Sequence, residues 1–274
     1  MNAHSIDLRP KISCIIPCFN EDPTILLRSL TSIINQTYNN FECLVIDEST
    51  NAKTVEACRE ICNSDPRFHY LHPEQRVGLA GSLNLGIQEA KGEFIARFDS
   101  DDICSSKRFS LQVKFLDENP EIGVVGSSLA IIDNQGDVIG HRVYPSNHES
   151  IGKKFIFSNG MAHPTVMFRK SVLQTSGGAY DPTFRYAEDL EFWLRLLNCK
   201  VIFANLSEPL VKYRQQFTNR GKENWKCNIR ARIKNYSSPY RFKKIVGISC
   251  IALWMIVPIV FQRFLFQIIQ LKKA

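Results

Sequence analysis

The sequence predicts an α/β domain built on a mostly parallel sheet with helices on both faces, followed by a C-terminal hydrophobic helix. Three observations predict it. Short apolar runs alternate with helical periodicity through the first 120 residues, the pattern of strands buried on both faces and their crossover helices. Polar or acidic clusters close those runs at residues 17–21, 47–48 and 99–102, and parallel sheets place ligands at the carboxyl ends of their strands. A stretch of 18 uncharged residues, 245–262, then stands apart near the end of the chain.

Each element follows from local chemistry. Residues 12–16 (Ile-Ser-Cys-Ile-Ile) form a short apolar strand ending at Pro17. Asp22-Pro23 opens a helix as N-cap and first-turn proline, with Ile25, Leu26, Ser29, Leu30 and Ile33 on one face. Residues 41–46 are a second apolar strand ending in Asp47-Glu48. A helix over residues 54–62, a strand over 68–71 and a helix over 79–90, stopped by Gly92, come next. Residues 93–98 are β-favouring and aromatic and lead into the acidic tetrad. Residues 106–118 read as helix and 122–132 as extended chain, before a hairpin-like turn at residues 134–137. Beyond it the pattern is mixed, with a strand at 165–168 and a helix at 188–197. On that helix Leu190, Trp193, Leu194 and Leu197 share a face, and Glu188 and Asp189 occupy the first turn, where acids are favoured.

A hydrophobic content of 44% is ample for a core and excludes a disordered chain. The formal charge of +7 is unevenly spread: residues 211–244 hold eleven Lys/Arg against one acid, Glu223, so the body before them is net acidic. A basic segment of this kind suits an anionic partner, a membrane surface or a nucleic acid. Nine scattered cysteines, without a CxxC pair, fit reduced thiols in a cytosolic setting, with Cys14 and Cys43 as core filler. No charged-then-apolar leader is seen, so the expectation is a chain that is not exported. As a helix, residues 245–262 would measure about 27 Å, slightly short of a hydrocarbon core of about 30 Å. That length fits an interfacial or re-entrant helix, a span, or a helix packed on the body. Basic flanks on both sides give no orientation.

The tetrad Asp99-Ser100-Asp101-Asp102 is the most informative feature. Carboxylates crowded at a strand end repel one another unless a cation neutralises them. Oxygen ligands suit a hard divalent ion such as Mg²⁺ or Mn²⁺, which typically takes one or two carboxylates plus substrate phosphates.

Further motifs surround it. The run Ile-Ser-Cys-Ile-Ile-Pro-Cys-Phe-Asn-Glu (12–21), Leu-Val-Ile-Asp-Glu-Ser-Thr (44–50), Gly78-Leu79 with Asn84 and Gly86, and the tetrad come first. His163-Pro-Thr-Val-Met-Phe-Arg169, Gly177-Gly178-Ala-Tyr-Asp, and Glu188-Asp189 with Phe192-Trp-Leu-Arg195 follow. In this order and spacing, over about residues 10–215, the chain resembles the inverting family 2 glycosyltransferases. The resemblance implies a GT-A fold, a Rossmann-like α/β domain that uses a nucleotide sugar and a divalent metal, Mn²⁺ or Mg²⁺. It implies that Pro17, Phe19 and Glu21 line the base and ribose pocket and that Asp47 or Glu48 holds the base. Gly78 and Asn84 join the donor side, where Arg76 either reaches the donor phosphates or is an exposed loop residue. Asp99 and Asp101 correspond to the DxD pair, Asp99 also toward the ribose, with Asp102 a further metal ligand. Asp189 matches the general base, with Glu188 beside it. His163, Trp193 and Arg214 fall to the acceptor side.

Three departures from the family pattern stand out. The second strand ends in Asp47-Glu48-Ser49 rather than two aspartates and a glycine, Leu83 replaces an arginine before Asn84, and Tyr213-Arg214-Gln215-Gln216 lacks a histidine, whose place Arg214 takes electrostatically.

The expected organisation is a catalytic domain over 10–215, a basic connecting segment over 216–244 and a hydrophobic membrane-associated helix over 245–271. The expected function is transfer of one sugar, from UDP-hexose or UDP-N-acetylhexosamine, to a lipid-linked or oligosaccharide acceptor at the cytoplasmic face of a bacterial inner membrane. A nucleotidyltransferase would want a glycine-rich, Lys/Arg-bearing loop after the first strand, and Pro-Cys-Phe-Asn-Glu-Asp lacks both. A membrane-bound nucleic-acid-binding protein would leave the acids at three strand ends without a purpose, so no nucleic-acid partner is expected.

Overall fold

The computed structural model describes residues 9–215, 221–237, 241–257 and 261. β1 (Ile12–Cys18) and β2 (Phe41–Asp47) are the first two apolar runs, and β2 is buried along its whole length. They pair in parallel, β2 adds β3 (Phe68–Leu71) and β1 adds β4 (Phe94–Arg97), both again in parallel. The crossovers are α1 (Pro23–Ile34), α2 (Ala52–Asn63) and α3 (Gly78–Glu89). Asp22 caps α1 as its sequence predicts, accepting from the N–H groups of Thr24 (2.9 Å) and Ile25 (3.2 Å).

The second half runs β5 (Ile103–Cys104), α4 (Arg108–Glu118), β6 (Ile122–Ile132), β7 (Val138–Arg142) and α5 (His148–Lys154). A 3₁₀ turn (His163–Thr165) leads to β8 (Met167–Arg169), then α6 (Val172–Ser176), α7 (Glu188–Asn198), β9 (Ile202–Arg214), α8 (Lys222–Lys234) and α9 (Arg241–Trp254). The strand order is β3-β2-β1-β4-β8-β6-β9-β5, with β7 on β6. The sheet is mixed rather than mostly parallel. β8 enters antiparallel between β4 and β6, β5 runs antiparallel to β9, and the tight turn after β6 forces antiparallel pairing on β7.

Helices cover both faces, as expected. On one side Leu26 and Leu30 of α1, Cys58 of α2 and Phe109 and Leu116 of α4 pack with Cys14 and Val45. On the other, Leu83 and Ile87 of α3 and Phe192, Trp193 and Leu196 of α7 pack with Ile15, Ile46 and Phe168. Strand alternation sends Cys14 to one core and Ile15 to the other. Cys14 and Cys43 are fully buried filler, and Leu83, where the family has an arginine, is core.

The C-terminal region departs most from expectation. α9 starts at Arg241, before the apolar stretch, and has 14 residues. No helix among the described residues is long and apolar enough to cross a membrane. Gly247 and Ile251 turn toward the body, and a methyl at 247 would collide with the Ile156 carbonyl oxygen, so the helix lies tightly against its support. Residues 258–260 and 262–271 of the expected hydrophobic helix lie outside the described residues.

Candidate active site

Because β1, β2 and β4 pair in parallel, with Cys18 opposite Asp47 and Ile15 opposite Arg97, the loops leaving their carboxyl ends share one edge of the sheet. After β4, Phe98 anchors in the core and the chain turns through the acidic tetrad. Asp99, Asp101 and Asp102 bring carboxylate oxygens within 4.8 Å of one another. Arg97, itself buried, grips Asp99 with two nitrogens, each 2.5 Å from a carboxylate oxygen. Asp102 is fully buried; one oxygen accepts the Arg214 backbone N–H at 2.7 Å and the other, Oδ2, has no partner.

Arg214, at the end of β9, is a strut rather than an acceptor contact. Its Nε donates to the Asp101 carbonyl (2.9 Å) and its Nη1 to the carbonyls of Asp133 and Asn134 (2.7 and 2.9 Å), which straps the tetrad to the turn after β6. With those bonds made the side chain is buried.

Burial and mutual repulsion raise the affinity of this cluster for protons. Asp101 is pushed up to about 6, first by burial and then by the charge on Asp99. Glu21, from the loop after β1, is pushed up to about 7 by burial and then by Asp101 and Asp99, with Arg214 opposing. Asp102 lies well above the carboxylate range for the same reasons. Glu188, in the first turn of α7, is pushed up to about 8 by burial and then by the charge on Asp189.

These shifts set a sign. In an unfolded chain the same carboxyls titrate near pH 4, so between about pH 6.5 and 8 the folded state holds more protons than the unfolded one. Stability of the EDTA-treated protein should therefore fall as pH rises through that window, and saturating Mn²⁺ should flatten the slope. Urea midpoints at both pH values, with and without Mn²⁺, check this; a flat EDTA profile counts against it. Below the window the buried His163, held neutral by burial and by the Arg97 charge, works in the opposite direction.

The neighbouring loops form the other half of the edge. Asn20 adopts a left-handed backbone (φ 54°) and ties the loop after β1 to the loop after β2. Its N–H donates to Ser49 Oγ (2.8 Å), and its Oδ1 accepts from the N–H groups of Thr50 (2.9 Å) and Asn51 (3.0 Å). Pro17 is half-buried beneath, and Phe19 is exposed with the Arg76 guanidinium 3.6 Å above its ring. Asp47 and Glu48 part company. Asp47 is fully buried, accepting from Ser49 N–H and the Tyr70 hydroxyl, both at 2.9 Å, and so faces away from the edge. Glu48 faces Arg76 (3.5 Å) and caps α3, accepting from Val77 N–H (3.1 Å), Gly78 N–H (3.2 Å) and Ser82 Oγ (2.5 Å). Gly78 sits there at φ 73°, where a side chain would be strained.

Two residues expected near substrates are supports. Asn84 spends its amide on the backbone of Tyr180, donating to its carbonyl (2.8 Å) and accepting its N–H (3.0 Å), so it clamps α3 to the loop before α7. Trp193 is fully buried against His163 and Phe203, so it cannot touch an acceptor. His163 bonds the Tyr180 hydroxyl at 2.9 Å and is nearly enclosed. Asp189, in contrast, is half-exposed, accepting from Asn159 Nδ2 at 2.8 Å and from the Leu190 N–H at 2.7 Å. It follows Ala187 and Glu188, and Ala187 holds the left-handed conformation (φ 59°) that sparse backbone regions reserve for constrained sites.

The tetrad fits a hard divalent ion: three carboxylates, oxygen donors throughout, and one buried oxygen without a partner. Cys18, Asp47 and Cys58 also lie close together. There both Asp47 oxygens are already engaged, and the Cys58 thiol is driven up by hydrogen bonds to Cys18 and Cys62 and by burial, which keeps it protonated and a poor ligand. Arg97, Asn20 and Asn159 were missed in the sequence. Arg97 alone left a signal, a cation inside an apolar strand two residues before the tetrad.

Residues 13–177 match the model of Glycosyl transferase family 2. The O-antigen biosynthesis glycosyltransferase WbnJ of Escherichia coli is 34% identical over 220 residues, covering 77% of this chain and 82% of WbnJ. Among solved structures, S. aureus TarS 1-349 in complex with UDP-GlcNAc gives a TM-score of 0.65 at 18% identity, over 85% of this chain and 69% of that one; of the longer TarS chain this protein spans 41%. The mannosyltransferase PcManGT from Pyrobaculum calidifontis, in complex with GDP-Man and Mn²⁺, gives 0.62 at 18% identity, over 88% of this chain and 69% of that one. At that identity these structures share the GT-A-like α/β fold with this chain.

Proposed function

We propose that this chain, which belongs to glycosyl transferase family 2 and is a glycosyltransferase, carries a sugar from a UDP-hexose or UDP-N-acetylhexosamine to a lipid-linked or oligosaccharide acceptor, with inversion. The setting would be assembly of a bacterial surface polysaccharide, as the O-antigen biosynthesis in the name of WbnJ suggests, and we place it at the cytoplasmic face of the inner membrane. The single observation that carries the reading is the gathering of Glu21, Asp99, Asp101 and Asp102 at one sheet edge, each of the last three within reach of the others, with Glu188, the chain neighbour of the half-exposed Asp189, close enough to feel the charge on Asp99.

In this reading the stacked Phe19–Arg76 pair lies on the base side, with Glu48, which is also buried but is paired with Arg76, nearer to it than Asp47, whose oxygens go to Ser49 and Tyr70. Asp99, Asp101 and Asp102 would hold Mn²⁺ or Mg²⁺, which when bound supplies Lewis-acid neutralisation of the leaving diphosphate. Arg97 fixes Asp99, and Arg214 fixes the turn that carries Asp101 and Asp102. Asp189 accepts the proton of the acceptor hydroxyl on the face opposite the leaving group. Glu188, protonated near neutral pH, is unsuited to that role.

A mass-spectrometric screen of nucleotide-sugar turnover with Mn²⁺ tests this. The expected result is nucleoside diphosphate released from one UDP-sugar, faster when an oligosaccharide acceptor is added. Release of inorganic diphosphate from a nucleoside triphosphate and a sugar phosphate would make it a nucleotidyltransferase instead.

A further inference from the structure

Helix α9 presents its apolar side outward. Phe242, Ile245, Val246 and Leu253 recur at helical spacing of three, four and seven, with Ile256 in the turn that continues the helix, and all fall on one face. They are exposed by 78, 52, 37, 65 and 78%, whereas Gly247 and Ile251 on the opposite side pack on the body. An apolar stripe of this length on a soluble surface marks an interaction site. Beside it, α8 carries Lys222, Lys226 and Arg230 on successive turns of its exposed face. A cavity of about 410 Å³ lies between the two helices, lined by Ile229, Ile233 and Met255 and by Lys226, Arg230 and Lys234. Lys226 is paired with Glu223 at 2.6 Å and Lys234 with Asp181 and Glu191 at 2.7 and 2.9 Å, so Lys222 and Arg230 carry the excess positive charge.

We propose that α8 and α9 together form a monotopic docking face for a bilayer containing anionic lipid, with α9 lying flat in the interface. This deepens the reading of a lipid-linked acceptor, on which its purpose rests. Charge complementarity selects the occupant. A basic rim beside an apolar stripe matches acyl chains beneath anionic headgroups, the arrangement by which interfacial helices bind. A second copy of the chain is a poorer match, because a two-fold interface would set one lysine-bearing rim against another. Because Gly247 and Ile251 pack on the body, the described part of α9 meets a bilayer side-on.

Flotation of the full-length protein with vesicles tests the proposal without donor or acceptor, so its failure is separate from failure of the glycosyltransferase reading. The protein should float with phosphatidylcholine vesicles containing one-third phosphatidylglycerol and much less with phosphatidylcholine alone. Ile245→Asp/Leu253→Asp should lower partition about tenfold or more on the mixed vesicles. Lys222→Gln should remove about fivefold, on the anionic vesicles only, and this loss should vanish in high salt. These positions are exposed, so each variant should melt like the parent. Three results would overturn the proposal: no flotation of the parent on anionic vesicles, flotation unaffected by the Ile245/Leu253 pair, or a parent dimer that this pair converts to monomer, which would make the stripe a self-association face.

Discussion

Asp101→Asn should reduce sugar transfer to background and abolish the Mn²⁺-dependent part of nucleoside-diphosphate binding. The tetrad offers three carboxylates whose oxygens lie within 4.8 Å of one another. Asp99 has both oxygens in the grip of Arg97, and Asp102 gives one oxygen to the Arg214 N–H. Burial and then the charge on Asp99 push Asp101 up to about 6, so a cation beside it would favour its ionised form. An amide at 101 keeps the shape but removes the negative charge. The same change relieves repulsion, so the variant's urea midpoint at pH 7.5 in EDTA should equal or exceed the parent's. Loss of function with retained or raised stability separates a ligand from a structural residue. Full activity of the variant, or parent activity undiminished by EDTA, would remove the tetrad from the metal site.

What could be read in advance follows from how local each cause is. β1, β2 and α1 rest on apolar runs, an N-cap and a first-turn proline, all within a few residues, and they stand where the sequence puts them. In the second half α4, β6 and α7 also stand where the sequence puts them, but the strand order does not follow from it, because the antiparallel insertion of β8 between β4 and β6 is set by long-range pairing of a three-residue strand that carries no periodicity of its own. The site divides in the same way. Acids at strand ends are visible as sequence, since parallel topology alone brings them together. Which of Asp47 and Glu48 faces the edge is decided by partners 23 to 34 residues away, Tyr70 for one and Val77, Gly78 and Ser82 for the other. Asn84, Trp193 and Arg214 carry family motifs yet act as clamp, core and strut, because a motif records that a residue type is needed and not which side of it faces the substrate. α9 is half-legible for a related reason: its apolar content is visible in sequence, but only the packing of Gly247 against Ile156 reveals which face is left outside.

Asp189→Asn should lower turnover by about 10²–10⁴-fold, the usual cost of losing a general base, while donor affinity stays near that of the parent. The local fold should tolerate the change. The amide oxygen can still accept the Leu190 N–H, and its NH₂ can be met by Asn159, whose own Oδ1 is buried without a partner and reaches Asp189 by a flip of the amide. The product from an α-linked donor should be the β-anomer, made by the parent fast and by the variant slowly. Glu188→Gln supplies the contrast. Glu188 is pushed up to about 8 and bears its proton at neutral pH, so glutamine mimics its resting form and turnover at pH 7 should change little. Comparing kcat and KM for the two variants at pH 7 therefore locates the base. If Glu188→Gln is the one that loses turnover, the proton goes to Glu188 and the role given to Asp189 is wrong; if the product is the α-anomer, neither acid acts as an inverting base.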